Sequence, residues 1–166
     1  MNLYQRGAMR LTSFTDYSLR VLMYVAARPG ATVTIAEIAN AFSISESHLT
    51  KVVHQLGRRG LLRNVRGRGG GVELDRPAAG INIGAVVRAA EREPYVECFD
   101  PRTNRCVITP VCRLRGVLSE AFAALYATLD RYTLEDIAQN RQRLRALLEP
   151  PGRPAGRGRY LREKRT

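Results

Sequence analysis

The sequence has few acidic residues, no long apolar segment and no apolar leader. Its 166 residues include 15 Asp and Glu against 27 Lys and Arg, a formal net charge of +12. Such an excess of cations favours an anionic partner, either nucleic acid or an acidic membrane surface, and charge alone does not choose between them. No run approaches the roughly 18 apolar residues of a membrane span, and Met1–Arg10 has no apolar signal core. We therefore expect a cytoplasmic protein without a membrane partner.

Cysteine and histidine are also scarce, which limits the available chemistry. Three cysteines in a reducing compartment cannot all pair, so we expect ligands, redox thiols or core residues, and no disulfide framework. The two histidines, His48 and His54, fall on one polar helical face without a nucleophile–base pattern. Gly69–Gly71 lacks the Lys-Ser ending of a phosphate-binding loop. We therefore predict that the protein is not an enzyme.

Hydrophobic periodicity predicts a mainly α-helical fold with one small β-hairpin. Thr34 and Glu37 form a capping-box pattern, Ser45 is a candidate N-cap, and Gly60 is placed to end the third helix in the left-handed conformation. The predicted helices cover residues 13–28, 34–42, 46–59, 83–90, 113–131 and 133–148, and the predicted strands cover residues 61–65 and 72–74.

The order of these elements divides the chain. Two helices joined by a short turn and followed by a hairpin form a winged helix-turn-helix, whose second helix enters the major groove. The predicted units are a DNA-binding domain (1–80), a connecting helix with a cysteine loop (81–112), a dimerisation helix with a short C-terminal helix (113–149), and a disordered basic tail (150–166). The long helix repeats apolar residues by fours and threes, as a coiled-coil seam does.

The candidate DNA-binding residues are polar or basic side chains of the third helix and of the glycine-rich wing. Polar side chains can pair with base edges, and arginines on a glycine hairpin can approach phosphates or a minor groove. The alternative is a merely solvated basic surface. The predicted set is Ser47, His48, Thr50, Lys51, Gln55, Arg58, Arg59, Arg66 and Arg68.

Cys98, Cys106 and Cys112 lie in one irregular, polar segment with the spacing C-x7-C-x5-C. This spacing lacks the paired C-x2-C knuckles of a zinc ribbon and fits no helical period. Three thiolates on a loop can wrap an iron–sulfur cluster, and in a cubane one iron is left for another ligand. Three alternatives remain open: buried core cysteines, a thiol sensor that forms a disulfide, and a structural zinc site.

Three segments together resemble a known family over about residues 9–148. They are RLTSFTDYSLR at 10–20, VRGRGGG at 65–71 and CVITPVCRL at 106–114. The chain resembles the Rrf-two family of winged-helix iron–sulfur regulators. Members that report iron–sulfur supply carry a histidine shortly after the third cysteine. Arg113, Leu114 and Arg115 stand there in this chain, which is similar to the nitric-oxide-sensing branch.

The resemblance implies a homodimeric repressor with one 4Fe–4S cluster per subunit, held by Cys98, Cys106, Cys112 and the partner subunit's Asp16. It further implies that nitric oxide is the signal and that nitrosylation releases the DNA. A two-fold dimer predicts a palindromic double-stranded operator. A 2Fe–2S cluster is the alternative cofactor, because the first cysteine gap varies in the family. Without the family, Asp16 is an ordinary first-turn acid stabilised by the helix dipole.

Overall fold

The computed structural model describes residues 10–91 and 95–148, and the predicted disordered tail at 150–166 lies outside these residues. Within them, seven α-helices surround a two-stranded hairpin, so the predicted mainly α fold with one small hairpin is confirmed. The elements are α1 Ser13–Ala26, α2 Ile35–Phe42, α3 Glu46–Arg58, β1 Leu62–Val65, β2 Gly71–Leu74, α4 Ile83–Ala90, α5 Arg113–Leu129, α6 Leu134–Ile137 and α7 Arg141–Leu148.

Local hydrogen bonds explain where several helices begin. Thr34 accepts from the Glu37 amide at 3.1 Å, and the Glu37 carboxylate accepts from the Thr34 amide at 2.7 Å, which confirms the capping box. Asn82 caps α4 by accepting from the Ala85 amide. Ser45 is the N-cap of α3, as predicted, but its side chain makes no capping hydrogen bond.

The core lies where α1 meets α3 and α4. Leu22 of α1, Leu49 of α3 and Val87 of α4 are completely buried. Leu134 and Ala138, from the C-terminal part of the chain, complete this same cluster. The head and the C-terminal helices therefore share one hydrophobic core. No helix in residues 10–91 and 95–148 is long and apolar enough to cross a membrane.

The turn of the hairpin and its packing against the head both depend on glycine. Gly67 and Gly69 adopt positive φ angles of 104° and 78°, a region that side chains disfavour. β1 and β2 pair antiparallel, with Leu62 opposite Leu74. Val33 forms an additional bridge to Val72, and a Cβ at Gly71 would collide with the Val33 carbonyl. Glycine at position 71 therefore lets the wing pack against the α1–α2 connection.

Two predicted helices end two residues too late, and a third predicted helix is divided in two. α1 stops at Ala26, two residues before the predicted end, because residues 27–30 form a turn in which Gly30 has a φ of 73°. α5 stops at Leu129, since the following residues turn back towards α4. The predicted helix at 133–148 is two helices.

Different partners divide that last segment. Leu134 and Ala138 are buried in the core, whereas Arg145 of α7 donates to the Ala27 carbonyl at the end of α1. The chain changes direction between them at residues 139–140, which carry no buried side chain. Long-range packing thus overrides the continuous helical pattern of the sequence.

The two N-caps predict different costs of substitution. Thr34→Ala removes both a capping acceptor and the partner of Glu37, so it should lower the free energy of unfolding by about 1 kcal/mol. Ser45→Ala is the matched control and should cost clearly less, because Ser45 accepts no capping hydrogen bond. Chemical denaturation of both variants measures this difference, and equal losses would contradict the assignment.

Candidate DNA-binding surface and cysteine loop

Helix α3 separates into a buried face and an exposed face. Leu49, Val52 and Leu56 are at most 3% exposed and anchor the helix on the core. The opposite face is open to solvent and consists of polar or basic side chains: Ser47, His48, Thr50, Lys51 and His54. The structure therefore leaves most of the predicted reading face accessible.

Not every predicted residue of α3 and its end is equally available. Arg59 is exposed, and its guanidinium donates an intramolecular hydrogen bond to the Ala89 carbonyl of α4. Gln55 is half-buried and lines a groove of about 240 Å³ between α1, α3 and α4. The Thr50 hydroxyl donates to the Glu46 carbonyl at 2.8 Å, so only its acceptor capacity remains. Arg58 is exposed.

The wing carries two exposed arginines that form no ion pair with the described residues. These are Arg66 and Arg68. By contrast, Arg63 at the base of the wing pairs with Glu73 at 3.0 Å. The Thr32 hydroxyl donates to the Gly69 carbonyl at 2.8 Å and holds the turn. The wing therefore offers fixed positive charge beside α3.

The cysteine loop is ordered by polar contacts. Asn104 accepts from the Cys106 amide at 3.0 Å, and its side-chain amide donates to the Thr109 hydroxyl at 3.1 Å. Glu97 accepts from the Arg105 amide across the loop. Two 3-10 turns, Glu97–Phe99 and Thr109–Val111, punctuate the segment, which the sequence showed only as non-periodic. The loop thus holds a shape without a core of its own.

None of the three cysteines is buried, so the alternative of core cysteines is wrong. Cys106 is exposed, Cys98 and Cys112 are partly exposed, and all three are free thiols. Cys112 is the N-cap of α5. The Arg115 guanidinium, in the first turn of α5, donates to the Cys98 carbonyl at 3.1 Å. Cys98 and Cys112 therefore both lie at the start of α5.

The predicted fourth ligand lies on a different element. Asp16, on the first turn of α1, is half-exposed and pairs with Arg20, with two nitrogen–oxygen distances of 2.9 and 3.0 Å. Among the residues with described positions, no three His, Cys, Asp or Glu side chains converge on a point that could hold a metal ion. Three free thiols suit a cluster in donor type, but one chain does not assemble the predicted ligand set.

The surface next to these cysteines is unusually apolar. Val107 and Val111 of the loop are 91% and 81% exposed, and Leu114 and Val117 of α5 are 62% and 61% exposed. α5 contributes no fully buried residue. A soluble monomer rarely exposes such a patch without a use for it. Of the seam predicted on α5, Leu114 and Ala121 are exposed, whereas Leu118, Leu125 and Leu129 are partly buried. The exposed valines of the loop were not predicted.

A group of aromatic residues around Cys98 escaped sequence analysis. Tyr95 and Phe99 flank Cys98, and both contact Phe122 of α5. The only signal was the spacing of Phe122 and Tyr126, which places them on one helical face. Nothing local pairs that face with residues some 25 positions earlier.

Comparison with known proteins identifies the relatives of this chain. A model of the Rrf2 (Rrf-two) family, described as "Iron-dependent Transcriptional regulator", matches residues 11–140. The chain is 50% identical over 143 residues to the HTH-type transcriptional regulator NsrR of Bacillus subtilis, covering 85% of this chain and 98% of that protein. It is also 50% identical to the NsrR of Geobacillus kaustophilus, with coverage of 85% and 97%.

Two solved structures are similar in fold. The oxidized form of Staphylococcus aureus CymR has a TM-score of 0.63 at 26% identity, covering 79% of this chain and 97% of that one. T. potens IscR has a TM-score of 0.65 at 23% identity, with coverage of 80% and 88%. The relatives are named as transcriptional regulators, which confirms the prediction of a regulator and not an enzyme.

Proposed function

Because the chain belongs to the Rrf2 family of transcriptional regulators, we propose that it is a homodimeric DNA-binding repressor that senses nitric oxide through a 4Fe–4S cluster. The observation that carries this proposal is the set of three free, non-core thiols in a polar loop that ends on α5. The 50% identity to proteins named NsrR supports the same assignment. We expect the protein to act in the cytoplasm, where thiols stay reduced.

The head supplies the DNA contacts in this proposal. The exposed face of α3 would enter the major groove, where Ser47 and His48 can meet base edges. Arg66 and Arg68 would contact phosphates or the minor groove, since no carboxylate in the described residues neutralises them. Arg59 stays in the predicted set, although one of its guanidinium nitrogens donates to the Ala89 carbonyl of α4.

The exposed apolar face of α5 would form the dimer. Pairing of two such helices would bury Leu114 and Val117 and place two copies of α3 about 34 Å apart, one turn of DNA. Two-fold symmetry then requires a palindromic operator. The exposed valines of the cysteine loop are next to this face in sequence, so the dimer interface would lie beside the ligand-binding loop.

Cys98, Cys106 and Cys112 would hold the cluster, together with the partner subunit's Asp16. When bound, the cluster would supply iron atoms that react with nitric oxide. For its ligand role at least one Asp16 oxygen would give up its contact with Arg20, because Arg20 contacts both oxygens of this carboxylate. Loss of ligation would free the loop at the start of α5 and return Asp16 to Arg20, which changes the contact between subunits. If the contact between subunits sets the distance between the two DNA-binding heads, a change in that contact would release the operator.

A second candidate is a regulator of the same fold that responds to thiol oxidation or carries a 2Fe–2S cluster. The three free thiols of this chain favour the thiol version, and CymR, which is similar in fold, is described in an oxidized form. Cys98 and Cys112, both near the first turn of α5, are the pair that we would expect to form such a disulfide. Iron and sulfide in an anaerobic preparation would count against the thiol version.

Arg66→Ala and Arg68→Ala should each weaken operator binding without changing the ultraviolet–visible absorbance of the cluster. Each lost phosphate contact should reduce the slope of log affinity against log salt by about 1. Fluorescence anisotropy over a salt series measures both quantities. Arg143→Ala is the charge-matched control, because Arg143 is exposed on α7, outside both the head and the cysteine loop. An equal loss in the control would show that only net charge matters.

Cys106→Ala should abolish cluster binding, because the remaining thiols cannot hold a cubane in its three-cysteine form. Anaerobic reconstitution followed by iron and sulfide determination tests this directly. The same variant should also bind the operator weakly and ignore nitric oxide. Operator affinity equal to that of the loaded wild type would contradict the proposed switch.

Asp16→Ala should retain a cluster on three cysteines but change its reactivity toward nitric oxide. Stopped-flow absorbance during nitric oxide addition compares this variant with the wild type. Arg20→Ala is the informative control, because it frees the Asp16 carboxylate without removing it. If Asp16→Ala leaves both the spectrum and the reaction rate unaltered, Asp16 is only a first-turn acid of α1.

A further inference from the structure

We propose that Tyr95, Phe99, Phe122 and Tyr126 form an aromatic clamp that fixes the Cys98 turn to α5 and so positions this thiol before any ligand binds. This inference rests on the proposed function in one respect, because the residue that the clamp positions, Cys98, is a proposed cluster ligand. The clamp itself is a property of the chain alone. Tyr95 and Phe122 are its positioning residues.

The centre of the clamp is a stack of two rings. Tyr95 and Phe122 lie parallel, with ring centroids 4.0 Å apart and an interplanar angle of 9°. Phe99 meets the same Phe122 ring edge-on at 5.8 Å and 82°. The edge-on Phe99–Phe122 pair has a geometry that aromatic rings prefer, and the parallel Tyr95–Phe122 pair is a close contact between two ring faces. Since Tyr95 and Phe99 stand on either side of Cys98, the rings attach the cysteine turn at both of its ends.

A hydroxyl pair and a cation close the clamp. The Tyr95 and Tyr126 hydroxyl oxygens are 3.0 Å apart and share a hydrogen bond. The Arg88 guanidinium of α4 lies 4.5 Å above the Tyr126 ring and pairs with Asp130. Burial and this hydroxyl contact raise the pKa of Tyr95, so its proton stays in place at neutral pH.

The clamp distinguishes the three cysteines. Cys98 is held by the rings and by the Arg115 contact to its carbonyl, and Cys112 is fixed as the N-cap of α5. Cys106 is exposed, and its recorded polar contacts, to Asn104 and Thr109, remain within the loop. Cys98 and Cys112 are therefore held at the start of α5, whereas Cys106 is the adaptable cysteine.

The clamp also connects the cysteine turn to the DNA-binding head. Arg88 projects from α4, whose Val86 and Val87 are buried in the core shared with α1 and α3. A displacement of the Cys98 turn would therefore disturb Tyr126 and Arg88 before it reached any residue of the head. This route runs inside one chain and does not involve Asp16.

Thiol alkylation in the reduced, metal-free full chain tests the clamp. Iodoacetamide labelling, followed by peptide mass spectrometry, gives a separate rate for each cysteine. In Tyr95→Leu and Phe122→Leu the rate at Cys98 should rise about fivefold, as expected for the loss of an aromatic stack, while the rate at Cys106 stays unchanged. Tyr95→Phe keeps the stack and should largely restore the slow rate.

Tyr132→Leu is the control, because Tyr132 is 46% exposed and has no ring contact among the described residues. Its Cys98 rate should equal that of the wild type. An unchanged Cys98 rate in both leucine variants would overturn the proposal, and so would an equal rise at all three cysteines, which signals general loosening.

Anaerobic iron–sulfide reconstitution then separates the two proposals. If the wild type takes up a cluster, Phe122→Leu should take up less and lose it faster in air. If the wild type takes up none, the proposed function fails, while the alkylation rates still decide whether the clamp exists.

Discussion

The arrangement of the head and the C-terminal helices depends on the hydrophobic core that they share through Leu134 and Ala138, and the half-exposed Arg88–Asp130 ion pair links α4 to the end of α5. Arg88 belongs to α4, which packs against α1 of the head, and Asp130 ends α5, which starts at the cysteine loop. Gly84 makes this approach possible, since a Cβ there would collide with the Asp130 carboxylate. The Arg88 guanidinium holds the pKa of Asp130 below its usual range, so the carboxylate stays charged as the pH falls. The folded state is therefore stabilised above the usual Asp pKa and loses this support in more acidic solution.

Neighbouring hydrogen bonds reinforce this junction. The Asn82 side chain donates to the Asp130 carbonyl at 2.7 Å, and the Ile83 amide donates to the Tyr132 carbonyl at 2.9 Å. The Leu134 amide donates to the Ile81 carbonyl at 2.8 Å. These bonds turn the chain after α5 and carry Leu134 into the core of the head. A displacement of the end of α5 would therefore also move the start of α4, to which these hydrogen bonds join it.

The sequence predicted the features that depend on neighbouring residues. The Thr34–Glu37 box, the Asn82 helix start and the glycine turn at 67–69 are local, and the structure has all three. The Val33–Val72 bridge and the division of α6 from α7 depend on partners far away in sequence. The same holds for the engagement of Arg59 by α4 and for the rings around Cys98. Periodicity cannot reveal such contacts, because it contains no information on which faces meet.

The ligand assignment has a different basis, since the cysteine spacing alone left several chemistries open. Family resemblance supplied Asp16 and the cluster type, and the structure adds the physical setting. The cysteines stand outside the core, in a loop that Asn104, Thr109 and Glu97 shape through polar contacts. These contacts are made by side chains and backbone amides of the loop itself.

The most direct test is the operator affinity of a single anaerobic sample, with iron and sulfide counted, before and after titration with nitric oxide. Our account predicts about four irons per chain, as in a cubane cluster. It also predicts tight binding before the titration and a loss of roughly a hundredfold once the cluster has reacted, a typical size for coupling between two sites. A colourless, iron-free protein that binds the operator equally well with and without the gas would contradict it.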